Sequence, residues 1–150
     1  MKHSIILLLL LNIIACSTVN IQFQRSGAVN AVEHENSIIV LSSLAQAENI
    51  NKAIYFAERN AFENLLFKGI PNTNQESPMV PNETKAMDGN ATFFKNLLNN
   101  QDYKKFVMDS YTKSNSRSKG IDYVEQVVKI DLRAFRKHLQ SEGVTKKFGL

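Results

Sequence analysis

The stretch 37–71, SIIVLSSLAQAENINKAIYFAERNAFENLLFKGIP, decides the fold of this 150-residue chain. Ile38-Ile39-Val40-Leu41 is a short apolar run rich in β-branched residues. It predicts a well-covered strand over residues 37–44. A helix is expected over residues 51–68, with Asn49 or Asn51 capping its start and Gly69 with Pro71 ending it. Ala53, Ala57, Ala61 and Leu65 share one face, and small residues at that spacing let a helix sit close to a sheet. Tyr55, Phe62 and Leu66 lie roughly opposite, so the helix should be covered on two sides. Arg59 and Glu63 are four apart and can pair on the remaining surface.

Downstream, residues 70–89 hold Pro71, Pro78 and Pro81, all the prolines of the chain. So long a loop inside a compact domain is unusual. Met79-Val80, framed by two of the prolines, has two readings: anchors of a partner-binding arm, or a plug docked on the domain's own core. Asn90 can cap a helix carrying Phe93, Phe94, Leu97 and Leu98, interrupted at Asn99-Asn100. Asp102 can cap a further turn with Tyr103, Phe106 and Val107. Residues 110–117 read as a polar edge strand, Ser118-Lys119-Gly120 as a turn, and residues 122–130 as a strand with Val124, Val128 and Ile130 on one side. Asp131 then caps a last helix with Leu132, Phe135 and Leu139 inward, which Gly143 ends with Val144 in apolar contact. The expected fold is α+β: a small antiparallel or mixed sheet of about three strands with helices packed on one face.

Upstream, Lys2 and His3 precede an apolar run, and Ile13-Ile14-Ala15 brings it to Cys16, the single cysteine. The run is shorter than the roughly 20 apolar residues a spanning helix needs. A short apolar run ending in a small residue and then cysteine reads as a lipoprotein signal over residues 1–15, with Cys16 as the site of lipid attachment. The thiolate takes a diacylglyceryl group, and two or three acyl chains anchor far more firmly than one. Ser17 after the cysteine favours the outer membrane, and the absence of an acidic run in residues 17–22 favours the periplasmic side. Residues 16–36 read as a lipidated tether, able to span about 65 Å at the extended limit of ~3.3 Å per residue. Within it Val19, Ile21 and Phe23 alternate with Asn20, Gln22 and Gln24, the pattern of a short strand that pairs with this sheet or a partner's edge. Residues 37–150 form a single domain.

Charge is unevenly placed. Residues 16–100 hold six Lys and Arg against eight Asp and Glu, and residues 101–150 hold eleven against six. The basic half suits lipid headgroups, anionic glycans, an acidic partner or simple solubility. Arg133, Arg136 and Lys137 share the outer side of the last helix and are candidate partner-binding residues, as are Met79 and Val80. A nucleic-acid partner is not expected for an exported lipoprotein.

Catalytic patterns are missing from the sequence. Glu33-His34-Glu35 lacks the second histidine that would give two ligands on one helical face, and His138 reads as a solvated side chain on a basic face. There is no nucleophile turn of the Gly-x-Ser-x-Gly type and no phosphate-binding glycine loop. Neither a catalytic residue, a metal site nor a cofactor is expected, and the chain reads as a non-enzyme.

Ala57-Glu58-Arg59-Asn60-Ala61-Phe62 with Leu65-Leu66-Phe67-Lys68-Gly69-Ile70-Pro71, and later Val128-Lys129-Ile130-Asp131-Leu132-Arg133 with the closing Lys147-Phe148-Gly149, resemble small Gram-negative envelope lipoproteins of poorly defined function. The strand followed by an alanine-spaced helix is also similar to the lipoprotein domain shared with flagellar-assembly periplasmic proteins. That resemblance implies scaffolding and assembly, with no catalytic residues to carry over. The lipoprotein of a contractile (type VI) secretion envelope complex is a more specific case of the same kind. The expected function is therefore a non-enzymatic outer-membrane lipoprotein that assembles or anchors an envelope complex, held by its lipid and bound to other envelope proteins. The alternative is a peptidoglycan-binding protein or activator of a cell-wall synthase acting through Arg133, Arg136 and Lys137. A small-ligand carrier is a third class, and it requires a cavity.

Overall fold

The computed structural model describes residues 20–35 and 37–146. Cys16, the signal residues before it and the closing Lys147-Phe148-Gly149 lie outside the described residues. The elements are β1 (Val29–His34), β2 (Ile38–Ala47), α1 (Ile50–Phe67), α2 (Glu83–Gly89), α3 (Ala91–Phe94), a π-helical turn (Lys95–Asn99), a 3₁₀ turn (Asp102–Phe106), β3 (Val107–Ser118), β4 (Ile121–Asp131) and α4 (Leu132–Ser141). One antiparallel sheet has the order β1-β2-β4-β3. The α+β class therefore holds, with four strands in place of about three. The added strand is β1, in residues whose sequence reads as tether.

Alternation along β2 and β4 explains the two layers. Ile39, Leu41, Ser43 and Ala47 on β2, with Val124, Gln126, Val128 and Ile130 on β4, are buried beneath the helices. Their neighbours Leu44 and Tyr123 face the other way and are exposed. Such alternation of buried and exposed residues marks a sheet with one packed and one solvated face. Phe62, Leu65, Leu66, Phe135 and Leu139 fill the main core from α1 and α4. The ring of Phe62 meets those of Tyr103 at 4.7 Å and Phe135 at 5.2 Å.

The caps follow side-chain chemistry. Asn49 accepts from the Lys52 N–H at 2.9 Å, and Asp131 accepts from the Ala134 N–H at 2.9 Å. At the end of α4 the Val144 N–H reaches the Leu139 carbonyl and the Gly143 N–H reaches that of Gln140, with Gly143 at φ +71°. These two bonds and the left-handed glycine form a Schellman motif. Lys119 (φ +49°) and Gly120 (φ +79°) make the two-residue turn of the β3–β4 hairpin, the backbone a type I′ turn needs.

Both outer strands carry bulges. The register shifts between Ala31 and Glu33, between Val107 and Asp109, and between Thr112 and Ser114. The extra residues are Val32, Met108 and Lys113. Val32 and Met108 are among the most exposed large apolar side chains of the described chain because a bulge turns them out of the ladder. Lys113 and the bulges blunt the β3 edge against pairing with another strand.

The expected tether is where the fold departs most from the sequence reading. Residues 20–28 run extended along α1. Ile21 and Phe23 join a second small core with Ala47, Ala53, Phe56 and Val124. Asn60 on α1 accepts from the Ser26 N–H at 2.9 Å and donates to the Ser26 and Ser43 hydroxyls, while Asn64 donates to the Ser26 carbonyl. The alternation of Ile21 and Phe23 with Gln22 and Gln24 does have an apolar side, but that side lies on a helix rather than in the sheet.

Candidate functional site

Met79 and Val80 are not free anchors. Val80 is buried in the main core and Met79 packs against it. Their amides also close the end of α1: Met79 N–H to the Leu65 carbonyl at 3.1 Å, Val80 N–H to the Leu66 carbonyl at 2.8 Å. The last carbonyls of a helix have no intrahelical donor, so the proline-rich loop caps α1 in the manner of an added strand. The partner-binding reading of the pair gives way to the plug reading. The loop is also shorter than expected, since Asn82 caps α2 by accepting from the Lys85 N–H at 2.9 Å.

The three cations of the last helix are not equivalent. Arg133 and Lys137 are exposed, with Arg133 donating to the Ser37 hydroxyl at 3.0 Å. Arg136 is half-buried and donates twice to the Gln75 amide oxygen, at 2.6 and 3.2 Å, which ties the proline-rich loop to α4. His138 is solvated only in part: its side chain is 30 % exposed, and its ring packs against Phe93 at 5.6 Å and Phe106 at 5.2 Å. His34 is exposed on β1.

The buried charges serve the architecture. Arg25 bonds Glu63 on α1 at 2.9 Å and grips Glu83 at the start of α2 with both terminal nitrogens, so one guanidinium joins the N-terminal segment, α1 and α2. The bonds to Glu83 raise the Arg25 pKa, against the opposing effect of its burial, and the same contact lowers that of Glu83. Arg59 bonds Glu63 at 2.7 Å and lies over the Phe23 ring at 4.2 Å. Glu58 is buried beneath β3 and accepts from the Ser110 hydroxyl at 2.7 Å and the Tyr103 hydroxyl at 3.4 Å. Burial, with Glu58 nearby, pushes the Tyr103 phenol far above the usual tyrosine range. Among the described residues no buried side-chain polar atom lacks a partner, and no three His, Cys, Asp or Glu gather as metal ligands.

A trough of about 810 Å³ opens between the N-terminal segment, the end of β2 and the β3–β4 hairpin, with Phe56 of α1 in its lining. Leu44, Gln46, Tyr123 and Glu125 form its floor, with Ile21 and Gln24 of the N-terminal segment at one side. Its charged members are already engaged: Arg25 as above, and Glu125 by Ser42, Lys113 and Ser114. Those bonds hold the Glu125 carboxylate below its ordinary pKa, the contact with Lys113 contributing most. The open side of the trough makes it a surface rather than an enclosed cavity.

Sequence reasoning found the basic helix, held the docked loop as one of two readings, and missed two fastenings: Arg25 and the Asn60–Ser26–Asn64 cluster. A signal existed for one of them. Asn60 and Asn64 lie four apart, each three residues after an alanine of the sheet-facing series Ala57 and Ala61, and polar groups buried there require partners. No described helix is long and apolar enough to cross a membrane. Set against protein-family models, curated proteins and solved structures, the chain matches none of them.

Proposed function

We propose that this chain is a non-enzymatic, outer-membrane lipoprotein that assembles or anchors an envelope complex, with its domain on the periplasmic side. The observation that carries the reading is Ile13-Ile14-Ala15-Cys16 behind a short apolar run, a site for a thioether-linked lipid. Two features of the fold support it. The buried carboxylates Glu58 and Glu63 are spent on structural partners, and the described residues leave Leu44, Tyr111 and Tyr123 exposed on one face of the sheet. Exposed apolar patches on a soluble domain mark interaction surfaces. The resemblance of residues 57–71 and 128–133 to envelope lipoproteins points the same way.

The test is in-cell crosslinking of the tagged, lipidated protein, then mass spectrometry of what co-purifies, with a Cys16→Ser strain alongside. A defined set of envelope proteins, lost in the Cys16→Ser strain, is the expected result. Recovery of the chain alone from both strains would refute the assembly role. A second reading, binding to the cell wall, is favoured by the exposed pair Arg133 and Lys137, one helical turn apart on α4. It predicts salt-sensitive binding to purified peptidoglycan that disappears on charge reversal at those two residues. Arg136, committed to Gln75, contributes less.

A further inference from the structure

The way the chain enters the domain sets an axis. Asn20 accepts from Lys52 Nζ at 3.3 Å, and the Ile21 N–H points to the Glu48 carboxylate at 3.4 Å. Both partners lie where β2 ends and α1 begins. The β3–β4 hairpin tip lies at the same pole, because Asp122 pairs with Ala47, the last residue of β2. The opposite pole holds the β1–β2 turn with Glu33, His34 and Glu35, the start of α4, and Gln75 of the proline-rich loop. A ten-residue strand, β2, separates the two poles, a length of about 33 Å at ~3.3 Å per residue.

Cys16 precedes Asn20 by four residues. Four residues reach at most about 14 Å at ~3.6 Å each. An acyl group on Cys16 therefore leaves no room for a free tether: the Asn20 pole must lie at the membrane surface. Its side chains suit that place. Lys119 sits at the hairpin tip without a side-chain ion pair among the described residues, and Arg117 beside it, paired to Asp122 at 2.8 Å, keeps most of its side chain exposed. Lys52 pairs with Glu48 at 2.6 Å, so the three cations meet two acids. Ile50 opens α1 with its side chain exposed, and Tyr123 stands three residues after Gly120 of the hairpin turn and is exposed. Cations, tyrosine and an exposed aliphatic side chain are what an interface with phospholipid headgroups favours.

We infer that the domain docks directly on phospholipid headgroups through this pole, with Ile50, Arg117, Lys119 and Tyr123 in contact, and points the Arg133 pole away from the membrane. The inference rests on acylation at Cys16, as proposed above. It replaces the 65 Å leash expected from sequence with a fixed orientation, and it assigns the α4 pole, about one domain length from the bilayer, to whatever lies beyond.

The test uses the mature, acylated protein reconstituted into vesicles of phosphatidylethanolamine and phosphatidylglycerol. Acylation consumes the only native thiol, so a single introduced cysteine carries a fluorophore: Ser118→Cys at the hairpin, or Glu35→Cys at the far turn. Both side chains are exposed, and each variant's circular dichroism is checked against the parent. Headgroup nitroxide lipid should quench most of the fluorescence at position 118 and almost none at position 35. Equal quenching at the two positions, weak or strong, would overturn the docked orientation. Mass spectrometry of the N-terminal peptide separates this from failure of the parent reading. An unmodified Cys16 refutes the lipoprotein assignment and the docking with it, whereas an acylated Cys16 with equal quenching refutes docking alone.

Discussion

Replacing Val80 separates the two readings of the proline-framed pair. Val80 is 4 % exposed and touches the main core, and its amide caps α1. Val80→Ala removes two buried methyl groups at about 0.8 kcal/mol each, ~1.6 kcal/mol in all. The residual cavity adds to this because neighbours relax only in part, for a total near ~2 kcal/mol. Val80→Asp loses the same burial and places a carboxyl group among apolar side chains, which costs several kcal/mol more unless the group takes a proton. A domain with about 5–15 kcal/mol in hand keeps its fold in the first variant and is close to losing it in the second. Urea unfolding of an unlipidated Cys16→Ser form, followed by far-ultraviolet circular dichroism, measures both. The alanine variant should shift the midpoint downward at constant slope. A change below about 0.5 kcal/mol, the range of ordinary surface substitutions, would refute the docked loop. Abolished crosslinking to a partner at full stability would restore the pair as an exposed anchor.

Gly69→Ala should be worse than its size suggests. The backbone there has φ +81°, and a Cβ would stand 1.9 Å from the Glu76 carbonyl oxygen, so the loop must move. The left-handed backbone alone costs ~1–2 kcal/mol, and thermal melting should show a loss beyond that. Glu58→Ala leaves the Ser110 and Tyr103 hydroxyls without their acceptor under β3. A loss of about 2–3 kcal/mol is expected in the same urea assay, and a neutral result would show that water replaces the carboxylate. The Arg25–Glu83 pair makes stability depend on pH. Glu83 has its folded pKa below the ordinary 4.5. Its contribution is therefore fully present above pH 4.5 and is lost as pH falls through the depressed folded value. The difference in stability between the parent and Arg25→Gln should shrink with acidification over that window. A difference constant from neutral to acid pH would assign the effect of Arg25 to packing on Phe67 instead.

What was legible in the sequence was what local chemistry dictates. β2, α1, β4 and α4 follow from apolar periodicity, and their ends from Asn49, Asp131 and Gly143, whose side chains or φ angles do the capping. β1 was hidden for a physical reason. Val29-Asn30-Ala31-Val32-Glu33-His34 is an edge strand with only Val29 buried and a bulge at Val32, so its alternation is broken where a pattern would be sought. The start of α2 had a readable signal in Pro81-Asn82-Glu83, a proline and a capping residue ahead of an acidic first turn, but too few apolar residues follow to mark a helix. The choice between anchor and plug at Met79-Val80 could not be made from sequence, because two adjacent apolar residues carry no period.

The uneven charge along the chain shows why charge runs read poorly as surfaces. The basic half contributes Lys113, Arg117 and Arg136, yet each is folded back onto a partner: Glu125, Asp122 and the Gln75 amide. The hairpin sets strand against strand, so β3 cations meet β4 acids from the same half of the chain, and the linear excess cancels locally. Among the described residues of this half, the exposed cations outside any side-chain ion pair include Lys119 at the hairpin tip and, far from it, Arg133 and Lys137 on α4. The two places are separated by the length of the sheet, and in the proposed orientation they face different neighbours. The tip lies within a few residues' reach of Cys16, and the helix lies at the other end. Held at one pole by the proposed lipid, the protein can offer only the other pole and the open sheet face to a partner. Charge reversal at Lys119 should then weaken contact with anionic vesicles and leave partner crosslinking intact, while reversal at Arg133 and Lys137 should do the converse. If both reversals acted on the same readout, the two surfaces would be one, and the axis drawn from Asn20 through β2 would be wrong.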